Sequence, residues 1–356
     1  MGVFSFGSGP SALPRGVIEN VQRDVAEWRD SGQSLLELPF SGCEFEAILG
    51  EAERDLRQLL MLPESHRVLF LQGGAFTQFA VLPMNLLGSR KAADYVETGY
   101  WSRRAITEAA PWAQIRLAGR GDGVSLPDSG TWRMSPTSAY CHFTSNETAD
   151  GLQFQTMPTG GPIPLVADMS ADFLSRPIPI ERFGMIYASA QKSLGAAGLT
   201  VVVIREDLLG AASPCTPGPL DYTRQARERS RVNTPPTVAI SIAAHMLRWL
   251  LDSGGLTAAE TRSKARSAEV YATIDRDGFY STPVAVADRS RVSVRFHLPS
   301  PALEALFREE AESQGLLHLA GHPAVGGFRA SLYNGISERA VDALVTFMND
   351  FRRRRG

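Results

Sequence analysis

The stretch "MIYASAQKSLGAAG", Met185 to Gly198, is a run of apolar and small residues that ends in Gln191-Lys192 and a glycine turn. Lysine is among the side chains least often buried. A core-type strand that delivers one into a turn either releases it to solvent or uses it. Asp168, in "LVADMS", closes a second apolar run upstream. In a parallel sheet the two strand ends face one edge, where α/β proteins bind ligands. An acid and a lysine at that edge suit pyridoxal phosphate. The amine forms the Schiff base, and the carboxylate keeps the pyridine nitrogen protonated so that the ring acts as an electron sink. A structural ion pair would leave the same two residues.

Further stretches could complete such a site. "QGGAFTQF", Gln72 to Phe79, reads as a glycine turn opening a helix, whose free N–H groups and dipole suit an anion; an ordinary tight turn reads the same. Trp101, in "GYWSRRA", is a flat apolar ring able to stack on a pyridine or to sit in a core. Thr148, in "SNETADG", offers a hydroxyl after another strand, or a cap for the next segment.

The elements that must position these residues alternate along the chain. "RVLFLQGG", "AADYVET", "QIRLAG", "SAYCHFTS", "IPLVADMS", "GMIYASAQ" and "LTVVVIRED" are strand candidates, several apolar on both faces, as in a sheet covered by helices on each side. "FAVLPMNLL" reads as the start of a helix in which Pro83 is tolerable only near the first turn or as a kink. The alternation predicts a large α/β domain over 16–255 with a mixed sheet. A long helix follows, then two strand–helix units, which make a small α+β domain over 256–356 joined by 1–15. Ser213 to Thr237 is polar and proline-rich and predicts a segment without clear secondary structure, able to wrap a neighbouring subunit.

Composition narrows the function classes. The 356 residues are 44% hydrophobic and carry a net charge of −2, which gives no reason to expect nucleic acid or an anionic membrane. The terminal "FRRRRG" reads as cations at a helix C-terminus. Cys43, Cys141 and Cys215 are far apart, without CxxC spacing, which argues against a disulfide framework or zinc site and predicts a reducing cytoplasm. No apolar run is long enough to span a membrane, and the N-terminus has no signal-peptide pattern.

Together, "FSFGSGPSALP", "QGGAFTQF", "YVETGYWS", "SNETADG", "VADMSADFLSRP", "IYASAQKSLGAAGLTVVVIRED", "VNTPPTVAISIAAHMLRWL" and "VGGFRASLYNGISERAVDALVTFM" resemble the phosphoserine aminotransferase family, in the same order and over nearly the whole chain. The resemblance implies the fold type I, aspartate-aminotransferase-like architecture, pyridoxal phosphate as cofactor, and exchange of an amino group between an L-amino acid and a 2-oxo acid. It implies that Lys192 is the Schiff-base lysine, Asp168 the pyridinium partner, Trp101 the stacking ring and Thr148 the partner of the phenolic oxygen. The cofactor phosphate would take the backbone N–H groups of Ala75 and Phe76 and the side chain of Gln191. Asn233 and Thr234 would reach it from the other subunit of a homodimer with shared sites. Arg329 would clamp the substrate α-carboxylate.

The chain departs from the family where the distal substrate group would bind. Phe40 and Ser41 stand in place of a histidine and an arginine, and Pro323 replaces an arginine after His322. Three readings follow: drift without consequence, phosphoserine held by a replacement cation such as Arg103 or Arg104, or a less anionic, non-phosphorylated substrate. A lyase or desulfurase on the same fold would need a mobile nucleophilic cysteine; Cys43 sits in the right loop but among acidic residues. A non-catalytic cofactor-binding protein would have lost Lys192, Asp168 or Arg329, and all three are present.

Overall fold

The computed structural model describes residues 2–356. Its centre is a seven-stranded sheet: β1 (His66–Gln72), β2 (Ala92–Glu97), β3 (Gln114–Arg120), β4 (Cys141–Thr144), β5 (Leu165–Asp168), β6 (Phe183–Ser189) and β7 (Leu199–Arg205). They lie side by side in the order β1-β7-β6-β5-β4-β2-β3. Only β7 runs against its neighbours; it is antiparallel to both β1 and β6. The other six therefore point the same way and deliver their C-terminal ends to one edge.

The burial pattern explains the topology. Every residue of β5 and β6 is buried, as expected of strands covered by helices on both faces. At one margin, β3 is mostly exposed and carries Arg116 and Arg120, charges that discourage pairing with another strand. The register places Thr144 beside Asp168 and Asp168 beside Tyr187, so the ends of β4 and β5 are level.

Two sequence expectations need correction. The helix after β1 begins at Ala75 rather than Phe79, immediately past the glycine pair, and Pro83 falls within its last turn. There the proline removes a single N–H late in the ladder and the helix ends at Leu86. The segment 213–237 is not without secondary structure, because it holds a short helix, Tyr222–Arg227, capped by the Asp221 carboxylate. Tyr222 anchors that helix, buried with its hydroxyl donating to Gln78 Oε1 (2.5 Å).

A separate hydrophobic cluster is built on an antiparallel pair, Ser293–Phe296 with Phe328–Ser331. The segment Phe4–Ser5 joins it by pairing in parallel with Leu316–Leu317. The helix Gly255–Ile274 serves both clusters: Leu256 and Ala259 pack in the larger, Val270 and Ile274 in the smaller. The C-terminal arginines end the helix Glu338–Arg355 in ion pairs, Arg352 with Asp277, Arg353 with Asp350, and Arg354 and Arg355 with Glu310. No helix among the described residues is long and apolar enough to cross a membrane.

Phe307 is the hub of the smaller cluster. It is fully buried, with ring centroids 4.7 Å from Phe328, 4.9 Å from Phe347 and 5.1 Å from Phe351. Phe307→Ala is expected to cost roughly 3–5 kcal/mol of unfolding free energy. Denaturant titration checks this, and a loss below about 1 kcal/mol would mean that the neighbours collapse into the space.

Candidate active site

At the shared edge the strand ends open into a cavity of about 250 Å³. Lys192, Asp168, Trp101, Thr148, Gln191, Ala75, Phe76, Arg329 and His322 all line it. They arrive from segments spread from Ala75 to Arg329, which is why no single stretch of sequence displays the site.

Lys192 follows β6 by three residues, and its amine donates to Thr148 Oγ1 (2.8 Å). That amine lies 5.7 Å from the centroid of the Trp101 ring. Asp168, at the end of β5, is buried and accepts the Ser170 N–H (2.9 Å). Burial pushes Lys192 down to about 8, with the Asp168 charge opposing the shift. Burial likewise pushes Asp168 up from the usual carboxylate range against the pull of Lys192. Desolvation outweighs attraction for both groups, which leaves the lysine amine partly neutral near physiological pH.

Behind Asp168 lies a charge network that holds β4 and β5 in line. The Ser145 hydroxyl donates to the Asp168 carbonyl (3.1 Å) and to the Asp172 carboxylate. Asp172 also pairs with the buried Arg176 (3.3 Å), which donates to the carbonyl of Gln155 (2.7 Å).

The glycine turn behaves as a cradle. Gly73 adopts φ +104°, and a Cβ there would approach Thr77 Oγ1 to 2.8 Å. The helix Ala75–Leu86 has no side-chain cap. The Ala75 N–H is held by the hydroxyl of Ser189 (2.6 Å), so Ser189, which the sequence does not single out, belongs to the cradle. Arg329 lies almost buried and donates to Ser8 Oγ (2.7 Å) and the Thr148 carbonyl (3.2 Å). His322 packs on Tyr100, ring centroids 4.3 Å apart, and its Nδ1 accepts the Ala324 N–H (3.2 Å).

Five expected residues lie elsewhere within the chain. Asn233 and Thr234 are exposed, the Thr234 carbonyl accepting from the Gln72 side chain. Phe40 packs against the larger core and Ser41 is exposed, both on the turn before the helix Cys43–Leu60. Pro323 is exposed beside His322. Besides Ser189, no role was read for Ser8, Ser170, Thr144 and Asn146; all four lie within the quoted "FSFGSGPSALP", "VADMSADFLSRP", "SAYCHFTS" and "SNETADG" but are small polar residues without a distinctive spacing.

The polar atoms of the cavity are suited to a ligand such as pyridoxal phosphate. Thr144 Oγ1, Asn146 Nδ2 and Trp101 Nε1 are buried without a hydrogen-bond partner among the described residues, and all three residues line the cavity. Native interiors seldom leave such groups unmet. A lysine, a carboxylate, an indole ring and a glycine cradle at one strand edge form a donor set that fits that cofactor.

Residues 3–344 match the family model described as aminotransferase class-V. The chain is 47% identical to a phosphoserine aminotransferase of Laribacter hongkongensis over 360 residues, all of both chains, and 45% identical to that of Azotobacter vinelandii over 99% of each. This chain belongs to the phosphoserine aminotransferase family of class V aminotransferases. Among solved structures, a phosphoserine aminotransferase from Bacillus circulans subsp. alkalophilus superposes with a TM-score of 0.97 at 39% identity, covering 100% of this chain and 99% of that one. A pyridoxal-phosphate-bound phosphoserine aminotransferase from Trichomonas vaginalis gives 0.94 at 38%, covering 98% and 100%. This class V aminotransferase therefore has the fold type I architecture and depends on pyridoxal phosphate. The expectation of a non-phosphorylated substrate finds no support in these relatives.

The depressed Lys192 value has a measurable consequence. Only the neutral amine attacks a carbonyl, so covalent uptake of pyridoxal phosphate by the cofactor-free aminotransferase should rise with pH and level off above about 8. Stopped-flow absorbance checks this. A rate still climbing toward the ordinary lysine value of 10.5 would refute it.

Proposed function

We propose that the chain exchanges the amino group of phosphoserine with a 2-oxo acid, working in the cytoplasm as a homodimer with shared sites. What carries the reading is the convergence of Lys192, Asp168, Trp101 and Arg329 on one cavity. The substrate class rests on the full-length likeness to phosphoserine aminotransferases.

The bound cofactor supplies an electron sink for the pair left at the substrate's α-carbon. Lys192 Nζ is the group that takes the α-proton, a role suited to an amine whose pKa burial has brought to about 8. Asp168 holds the proton on the ring nitrogen, which its acid-edge position and Ser170 contact permit. Arg329 orients the substrate by a two-pronged grip on its α-carboxylate, exchanging the Ser8 contact for that ion. Gln191, Thr148 and the N–H groups of Ala75 and Phe76 hold the cofactor within one chain, the Ala75 N–H exchanging its Ser189 contact for the phosphate. Asn233 and Thr234, exposed and away from their own chain's cavity, are free to reach the partner's.

The substrate's distal phosphate needs a cation. His322 stands in the cavity wall, but burial and the Arg329 charge hold its pKa below the usual histidine value, so it offers a neutral N–H rather than a cation. The Arg104 guanidinium lies 4.8 Å from the ring of Phe76, itself a cavity residue, and 3.5 Å from the Glu108 carboxylate, a contact it would exchange for the phosphate. Arg104 therefore takes the task that Ser41 and Pro323 have given up.

With a common 2-oxo acid acceptor, kcat/KM for phosphoserine should exceed that for serine about a hundredfold or more, from two charge-assisted contacts. Arg104→Ala should lower the phosphoserine value alone. Equal kcat/KM for the two amino acids would return the reading to a neutral substrate.

Shared sites predict complementation. Mixing an Asn233→Ala/Thr234→Ala chain with a Lys192→Ala chain should restore turnover through hybrid dimers that contain one intact site. Absence of recovery, with hybrids demonstrated by native mass spectrometry, would count against the shared site.

A further inference from the structure

Glu147 is fully buried, and among the described residues no lysine or arginine forms an ion pair with it. Its partners are instead the start of the helix Tyr100–Ala109. Oε2 accepts the Trp101 N–H (2.8 Å), and Oε1 accepts the Ser102 N–H (2.9 Å) and the Thr98 hydroxyl (3.1 Å). Asp150 Oδ2 takes the Tyr100 N–H (2.8 Å). Two carboxylates thus occupy the first three N–H groups of the helix that carries Trp101, the end at which negative charge is favoured.

This arrangement demands space. Gly99 has an extended backbone, so its φ does not require glycine. A Cβ there, however, would lie 2.5 Å from Asp150 Oδ2 and 2.8 Å from Glu147 Cδ. The missing side chain admits the two carboxylates. Burial and the neighbouring Asp150 together push Glu147 up to about 7, which marks how far from water the group sits.

The next residue faces the other way. Thr148 receives the Lys192 amine on its hydroxyl and Arg329 on its carbonyl. Trp101, Lys192 and Arg329 therefore hang from two consecutive residues. We propose that Glu147 is a positioning residue, which fixes the Trp101 ring over the cavity at a set distance from Lys192, with Asp150 as its accessory. The inference rests on the cofactor role assigned above to Trp101 and Lys192.

A double-mutant cycle tests it. Pyridoxal phosphate affinity and the visible circular dichroism of the bound cofactor are measured for the wild type, Glu147→Gln, Trp101→Ala and the double variant. Glutamine keeps the shape but turns an NH₂ toward one of the N–H donors. It should weaken cofactor binding about tenfold and change the dichroism. In the Trp101→Ala background it should add almost nothing, because it acts through that ring. Glu147→Asp, which keeps the charge, should recover part of the affinity. An equal loss in both backgrounds, or unchanged affinity and dichroism, overturns the proposal. If Glu147→Gln does not fold, Asp150→Asn is used in the same cycle, with the same two outcomes. A wild type that binds no pyridoxal phosphate would strike at the cofactor role instead.

Discussion

A lysine amine and a carboxylate held together away from water set the conditions that the rest of the molecule meets. Each ion is disfavoured by burial, and their attraction does not cancel that cost, as the opposed shifts of Lys192 and Asp168 show. Neighbours must therefore hold both groups by hydrogen bonds. Thr148 receives the amine, the Ser170 N–H meets the carboxylate, and Ser145 ties the Asp168 carbonyl to Asp172 and so to Arg176. A site built this way keeps its amine reactive because the fold prevents it from being an ordinary lysine.

Five residues, Asn146 to Asp150, carry much of that support. Within them Glu147 and Asp150 face one helix, Thr148 faces the lysine and the arginine, and Asn146 faces the cavity. The antiparallel pairing of Asn146–Glu147 with Leu152–Gln153 makes the segment a tight loop rather than a free connection. The Gln153 side chain returns to Asp172, closing the circuit behind Asp168.

The N-terminal segment links the two hydrophobic clusters at the cavity. Phe4–Ser5 pairs with Leu316–Leu317, Ser8 accepts from Arg329, and Ser11 bonds the carbonyls of Gln191 and Lys192. A Cβ at Gly9 would meet Gln191 Cγ at 2.9 Å, so the backbone passes directly over the lysine loop. Arg329 and the lysine loop are thereby connected through one short stretch of chain.

By itself the sequence determined the central strands such as β5 and β6, because their apolar runs are buried on both faces and bear a local signature that survives without neighbours. It also singled out Asp168 and Lys192, although a structural ion pair would have left the same two residues; the rest of the quoted motifs gave them their meaning. The sequence could not show Ser189 on the Ala75 N–H, Glu147 beneath Trp101 or Ser8 against Arg329. Their partners lie 114, 46 and 321 residues away, and a serine or glutamate carries no periodic signal. It expected Pro83 near the first turn of the helix after β1 or at a kink, whereas the glycine turn starts the helix at Ala75 and leaves the proline in its last turn. Tertiary structure alone decided the desolvation of Lys192 and Glu147, because a pKa responds to what surrounds a group in space, and those surroundings come from segments far apart in the chain.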